Sequence, residues 1–157
     1  MVKILGAIII ILCGFSFAYL LNGKARARLA QLEGFIALVR YLRTQIDCFS
    51  MPMPSALSRC PQGVFERCGA RCNEKFKTVR DLLDACDCSA DEIGELMYGF
   101  ASDVGRGYRQ EQLALCDRTL ERLEDHREEL AARLPAKQKL NGTLCVCSSL
   151  AVVILLI

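Results

Sequence analysis

Two uncharged apolar stretches bracket this chain, and they constrain it more than any other feature. The first is Ile4 to Leu21 (ILGAIIIILCGFSFAYLL) and the second Leu140 to Ile157 (LNGTLCVCSSLAVVILLI), each 18 residues long. Of the chain's 20 basic residues only Lys3 lies outside the interval between them, and all 18 acidic residues fall within it. As helices the stretches would be roughly 27 Å long, close to the hydrocarbon thickness of a bilayer. A helix there satisfies every backbone N–H and C=O internally, as lipid demands. The expectation is three parts: an N-terminal transmembrane anchor over 1–22, a central domain over 23–139, and a C-terminal transmembrane anchor over 140–157.

A secretory signal peptide is the competing reading of the first stretch. Lys3 alone precedes it, no A-x-A-like cleavage site follows, and Lys24, Arg26 and Arg28 come at once, as in a stop-transfer flank. An uncleaved anchor fits better. The second stretch holds Asn141, Ser148 and Ser149 and is short of ~20 residues, so a buried core helix is its alternative. Asn141-Gly142-Thr143 matches a glycosylation sequon, but its place at a membrane edge on the cytoplasmic side makes chance the better account.

Positive charges beside the anchors set orientation. Lys24, Arg26 and Arg28 follow the first, and Arg133, Lys137 and Lys139 precede the second; both clusters lie on the side of the central domain. The domain is therefore expected in the cytoplasm, both termini outside, with the lipid bilayer as a partner.

Cysteine usage agrees with a reducing compartment. Of 10 cysteines, Cys13, Cys145 and Cys147 fall within the apolar stretches, where a thiol behaves as a small hydrophobe. Those remaining (Cys48, Cys60, Cys68, Cys72, Cys86, Cys88 and Cys116) are odd in number, which suits a disulfide framework poorly. Their local spacings, Cys68-x3-Cys72 and Cys86-x-Cys88, contain no C-x2-C pair of the kind zinc sites favour. Packing is the expected use, with no metal and no cofactor; a cysteine-based metal-sensing or small transport-associated membrane module is the alternative.

Helical periodicity dominates the central domain. Leu29, Leu32, Ile36, Val39, Leu42 and Ile46 recur at steps of three and four, with only Gly23 and Gly34 to break a continuous helix from the first anchor. Met51-Pro52-Met53-Pro54 ends it. Ser55 is the expected cap of a short helix through Leu57, and Pro61 opens another that carries Val64, Phe65, Cys68 and Cys72 and ends near Phe76. Thr78 should cap a helix through Leu82, Leu83 and Cys86, and Ser89 one that buries Ile93, Leu96, Met97 and Phe100 and stops near Gly105 and Gly107. Leu113, Cys116, Leu120, Leu123, Leu130 and Leu134 follow a heptad interrupted by Arg127. The seam suits packing against the long first helix; about three heptads is near the minimum for a coiled coil with a partner chain. No strand pattern of useful length occurs, so the fold class is all-α, an antiparallel helical bundle between two transmembrane helices.

Little of this points to chemistry. His126, the only histidine, is expected to be solvated on a charged helix face. P-loop, G-x-G-x-x-G and H-E-x-x-H patterns are missing from the sequence. The near balance of charge offers no basic patch for nucleic acid. Ionisable acids and bases are absent from the apolar stretches, which argues against an ion or solute path through them. The reading is not an enzyme, with no nucleic acid and no small-molecule substrate.

Several segments together resemble the stage III sporulation protein AB family of endospore-forming bacteria, over essentially the whole chain. Leu42-Arg43-Thr44-Gln45-Ile46 and Met51-Pro52-Met53-Pro54-Ser55-Ala56-Leu57 are similar to the family's LETEI and TPLPEAL segments. Gly105 with Gln112 resembles its LG-x6-Q feature, and Lys137 and Lys139 before the final ILLI-ending run match its ending. Met51, Ser55, Tyr108 and Cys145 depart from the usual threonine, acid, aspartate and glycine. The resemblance implies a sporulation role in the channel-like apparatus between mother cell and forespore. It also implies a cytoplasmic domain similar to those of type II secretion F-type platform proteins, and partners that include other stage III sporulation proteins and a cytoplasmic ATPase. On this reading the structural or interaction positions are Pro52, Pro54, Ala56, Leu57, Gly105 and Gln112.

Overall fold

The computed structural model describes residues 2–49, 52–70, 76–86 and 92–156; most side chains of 2–22 and 137–156 lie outside that description. The described residues form α1 (Val2–Phe49), α2 (Met53–Ser58), α3 (Gln62–Cys68), α4 (Val79–Ala85), α5 (Glu92–Asp103) and α6 (Arg109–Leu156), with no strand among them. The expected continuity of the first helix holds, since α1 runs unbroken for 48 residues. The final helix exceeds expectation: α6 continues through Pro135 into the second apolar stretch. The proline lacks the N–H that would bond the Ala131 carbonyl one turn back.

The chain divides into two compact units. One is Met1–Arg28 with Glu129–Ile157; the other is Leu29–Glu128. In the first, Arg133 pairs with Glu129 one turn away and the Thr143 hydroxyl donates to the Lys139 carbonyl at 2.9 Å. Tyr19 and Leu140 there are exposed. Among the described residues no helix is long and apolar enough to cross a membrane. The two stretches expected to do so lie for the most part outside the described side chains.

The unit Leu29–Glu128 is built around α1. Of the sequence stripe, Leu32, Ile36, Val39, Leu42 and Ile46 are buried and Leu29 is half-buried, and Phe35 and Leu38 are buried as well. A stripe that wide belongs to a helix covered on more than one side. Removing such a side chain from water contributes about 1.5–3 kcal/mol.

On one side, α2 and α3 close over α1. Gln31 Nε2 donates to the Cys68 carbonyl at 2.9 Å, and the Tyr41 hydroxyl donates to the Ala56 carbonyl at 3.1 Å. Gly34 permits the approach: a Cβ there would lie 2.6 Å from the Arg67 carbonyl carbon and 2.7 Å from the Cys68 nitrogen. α3 ends at Cys68 and not near Phe76, as its sequence suggests. Gly69 turns left-handed at φ +92, and its N–H and that of Ala70 bond the Glu66 and Phe65 carbonyls at 3.0 Å each. This is the Schellman arrangement that a Cβ-free residue allows. Phe76 returns to stack edge-on against Phe65 with centroids 5.5 Å apart. Cys72 and Ser89 lie outside the described residues.

On another side α6 runs antiparallel to α1. Arg40 pairs with Glu124 at 2.5 Å, Arg43 with Asp117 at 2.5 Å and Asp47 with Arg109 at 2.7 Å, so ascending positions on one helix meet descending ones on the other. Beneath these pairs Cys116, Thr119 and Leu123 are buried, and Thr119 satisfies its hydroxyl on the Leu115 carbonyl at 2.8 Å. Leu113 and Leu120 are half-buried, and Leu130 and Leu134 belong to the other unit. Cys116 and Leu123 of the heptad thus pack within this unit.

α4 carries the expected cap: Asp81 N–H donates to Thr78 Oγ1 at 3.1 Å while Thr78 N–H donates to Asp81 Oδ2 at 3.0 Å. α5 buries Met97 and Phe100, with Ile93 and Leu96 half-buried. His126, expected to be solvated, is half-buried, with its Nε2 3.9 Å from Glu92 Oε1.

Gly34→Ala should destabilise the full-length protein by about 1–3 kcal/mol, because backbone on both sides has to part; an unchanged melting temperature would contradict the close approach. The Arg43 guanidinium, hydrogen-bonded to Asp117, holds that carboxyl below its ordinary range. A lowered folded-state pKa stabilises above the unfolded value, near ~4, and that stability disappears as pH falls through the folded value. Asp117→Asn should therefore flatten the acid limb of a Tm-against-pH curve below about pH 4.

Candidate functional site

The sequence candidates fall on two junctions, where α2 begins and where α5 passes into α6. Pro52 sits just before α2 with φ −58 and ψ 139, and its carbonyl accepts from the Ser55 and Ala56 amides at 2.9 and 3.0 Å. The cap expected at Ser55 is therefore displaced. The helix starts at Met53, and Pro54 occupies the first turn, where a missing N–H has no helical acceptor to lose. Pro52 and Pro54 are exposed. Ala56 and Leu57 are each 1% exposed, so they seat α2 in the core and present no surface. Burial raises the pKa of the Tyr41 hydroxyl that holds Ala56.

At the second junction Gly105 and Gly107 take φ +86 and +95, a region that side chains with a Cβ rarely occupy. Gln112 clamps both. Its Oε1 accepts from the Gly105 N–H at 3.2 Å, and its Nε2 donates to the Gly107 carbonyl at 3.3 Å. The Tyr108 N–H donates to Glu111 Oε2 at 3.1 Å, which is half of a capping box at the start of α6. Tyr108 lacks the short side-chain oxygen of an Asp, Asn, Ser or Thr that would complete that box. The paired residues Gly105 and Gln112 are thus one turn device.

The structure joins these junctions. A Cβ on Gly105 would lie 3.8 Å from Met53 Cβ, so the α5–α6 turn rests against the first residue of α2. Arg109 donates to both the Asp47 carbonyl and, at 2.7 Å, its carboxylate, which ties the start of α6 to the last turn of α1. Asp47, Arg109 and Tyr41 escape the sequence reading, and Gly34 enters it only as a possible break in the first helix. Beside the turn lies an open depression lined by Asp103, Arg106, Glu111, Gln112, Leu115 and Arg118. Phe49 and Tyr108, at these helix ends, are 63% and 81% exposed.

Of the membrane-flanking charges, Lys24, Arg26, Arg28, Arg133 and Lys139 are exposed, and the Lys137 side chain lies outside the described residues. Cys60, Cys68, Cys86 and Cys116 are buried and outside any disulfide, and Cys48 is exposed. Desolvation pushes Cys60 and Cys116 up to about 11, which keeps them protonated and unreactive at neutral pH. No group of three or more metal-ligating side chains occurs among the described residues; Cys72 and Cys88 fall outside them.

Gln112→Ala removes both arms of the clamp. It should cost about 1–2 kcal/mol, two ordinary hydrogen bonds' worth. Amide exchange should quicken at Gly105 while α4 and its capping box stay protected; uniform protection across the turn would contradict the clamp.

No curated protein and no solved structure matches the chain. A family model does, that of stage III sporulation protein AB, over residues 3–157. The match spans both apolar stretches, the α2 junction and the Gly105–Gln112 turn, and the chain belongs to the stage III sporulation protein AB family.

Proposed function

We propose that this sporulation protein is a non-enzymatic membrane platform in the secretion-like channel between mother cell and forespore. It is anchored in the mother-cell membrane around the forespore by spans at 1–22 and 140–157. The domain 23–139 faces the cytoplasm, where it couples a cytoplasmic ATPase to the other stage III sporulation proteins. One observation carries this reading: the two chain ends that bear the uncharged stretches group together as a unit separate from the charged unit Leu29–Glu128. Two helices crossing one bilayer side by side would group in that way. Exposed Tyr19 and Leu140 at the inner ends of the stretches suit an interface and acyl chains. The distribution of basic residues supports the orientation.

A platform works by holding helices at fixed angles. Two exposed prolines, two left-handed glycines and the glutamine that clamps them are junction residues suited to doing so. Their chemistry is conformational, since none offers a nucleophile or an acid–base pair.

Reporter fusions after Arg28 and after Ile157 should give opposite localisation; matching signals would overturn the topology. Replacing Pro52 and Pro54 together by Ala should cost only ~0.4–1 kcal/mol each, yet reduce co-purification with the ATPase and block spore maturation. His126→Ala should leave sporulation intact. A defect in that variant at normal protein level would place chemistry where none is assigned.

A further inference from the structure

Charge is not shared evenly between the two compact units. The unit Met1–Arg28 with Glu129–Ile157 holds seven basic side chains and one acidic, a net +6. The other 13 basic and 17 acidic side chains fall in Leu29–Glu128, a net −4, so the chain's overall +2 conceals a strong separation. The one acidic side chain of the first unit, Glu129, is engaged by Arg133 a turn further on. Lys3 stands apart, at the outer end of the first apolar stretch. That leaves Lys24, Arg26, Arg28, Lys137 and Lys139, all within seven residues of the inner ends of the two stretches, with no further acid in the unit to balance them.

Lys24, Arg26, Arg28 and Lys139 are exposed. The helices that carry them continue into the apolar stretches, α1 from Val2 to Phe49 and α6 from Arg109 to Leu156. At about 1.5 Å per residue, Lys24 lies roughly 5 Å along the axis from Leu21, and Lys139 adjoins Leu140. With the stretches in hydrocarbon, that is the depth of phospholipid headgroups. Tyr19 and Leu140, 79% and 60% exposed, mark the same level with an amphipathic ring and an apolar side chain. The anions held at that depth are lipid phosphates, which lysine and arginine bind through charge-assisted hydrogen bonds. An orientation signal acts once, at insertion; an exposed and unbalanced cluster goes on attracting anions afterwards.

We infer that these two clusters take anionic phospholipid headgroups, so that the protein gathers anionic lipid around the inner ends of its anchors. The inference rests on the membrane-anchor reading and names the lipid class that the reading leaves open.

The test places full-length protein in phosphatidylcholine vesicles that contain a trace of spin-labelled phosphatidylglycerol or of spin-labelled phosphatidylcholine. Lipid held against the protein gives an immobilised component in the spectrum. That component should favour phosphatidylglycerol by about threefold or more at low salt. The preference should fall toward one between about 0.01 and 1 M salt, where the screening length shrinks from about 30 to 3 Å. Combining Lys24→Gln, Arg26→Gln and Lys139→Gln should abolish most of it. Arg59→Gln, Arg80→Gln and Arg122→Gln together remove the same charge from exposed positions of Leu29–Glu128 and should leave it unchanged. Equal immobilisation of both lipids by the wild type overturns the inference, as does a preference that survives the first triple variant. So does an equal loss in the two triple variants, which would reduce the effect to net charge. If polyglutamate binds the wild type while both lipids are held equally, the clusters belong to an acidic protein and the inference falls. Alkaline carbonate extraction of the vesicles reports on the anchors separately. Protein that stays in the membrane without a lipid preference overturns the inference alone, whereas protein that washes out overturns the anchor reading with it.

Discussion

Burial of α1 on more than one side is the constraint on which the unit Leu29–Glu128 depends. Leu32, Phe35, Ile36, Leu38, Val39 and Leu42 cover too wide an arc for a single neighbour, so α2 and α3 occupy part of it and α6 another. Gly34 makes the first of these possible, because helix backbones cannot approach to that distance across a Cβ. The Gln31 amide then anchors the α3 C-terminus by a carbonyl left over when the helix stops. The α6 side is different in kind: a small apolar seam capped by exposed ion pairs. Such pairs contribute little to stability in water. Their order along the helices selects the antiparallel register all the same.

From that frame the placement of the two junctions follows. α1 ends before the Pro52–Pro54 segment, α6 begins at the Gly105–Gln112 turn, and the Asp47–Arg109 contact joins those ends. Residues that shape backbone therefore collect at one place. The buried cysteines take no part. Their desolvated thiols fill volume at Cys60, Cys68, Cys86 and Cys116, as sulfur in a core commonly does.

Family membership and the fold class agree without one implying the other. A helical bundle hosts many activities, and only the match over residues 3–157 speaks for sporulation. The proposed platform role draws on the charge pattern at the chain ends and on the grouping of those ends into one unit.

The sequence by itself determined which segments are helical and where several of them start and stop. Periodicity found α1 and α6, the Met51–Pro54 segment marked the end of α1, Pro61 the start of α3 and Thr78 the cap of α4, because each signal acts within one or two helical turns; Ser55 reads as the cap of α2, whereas that helix starts at Met53. It missed the early stop of α3, since Gly69 reads as one glycine among others until the Schellman bonds to Phe65 and Glu66 give it a left-handed turn. Nor did it show that His126 is half-buried. Tertiary structure alone decided that Phe35 and Leu38 are core, that Gly34 faces the backbone of α3, and that Ala56 and Leu57 are buried rather than presented. Those outcomes depend on contacts between residues far apart in the chain, and no local pattern of spacing or propensity encodes which helix will cover which face.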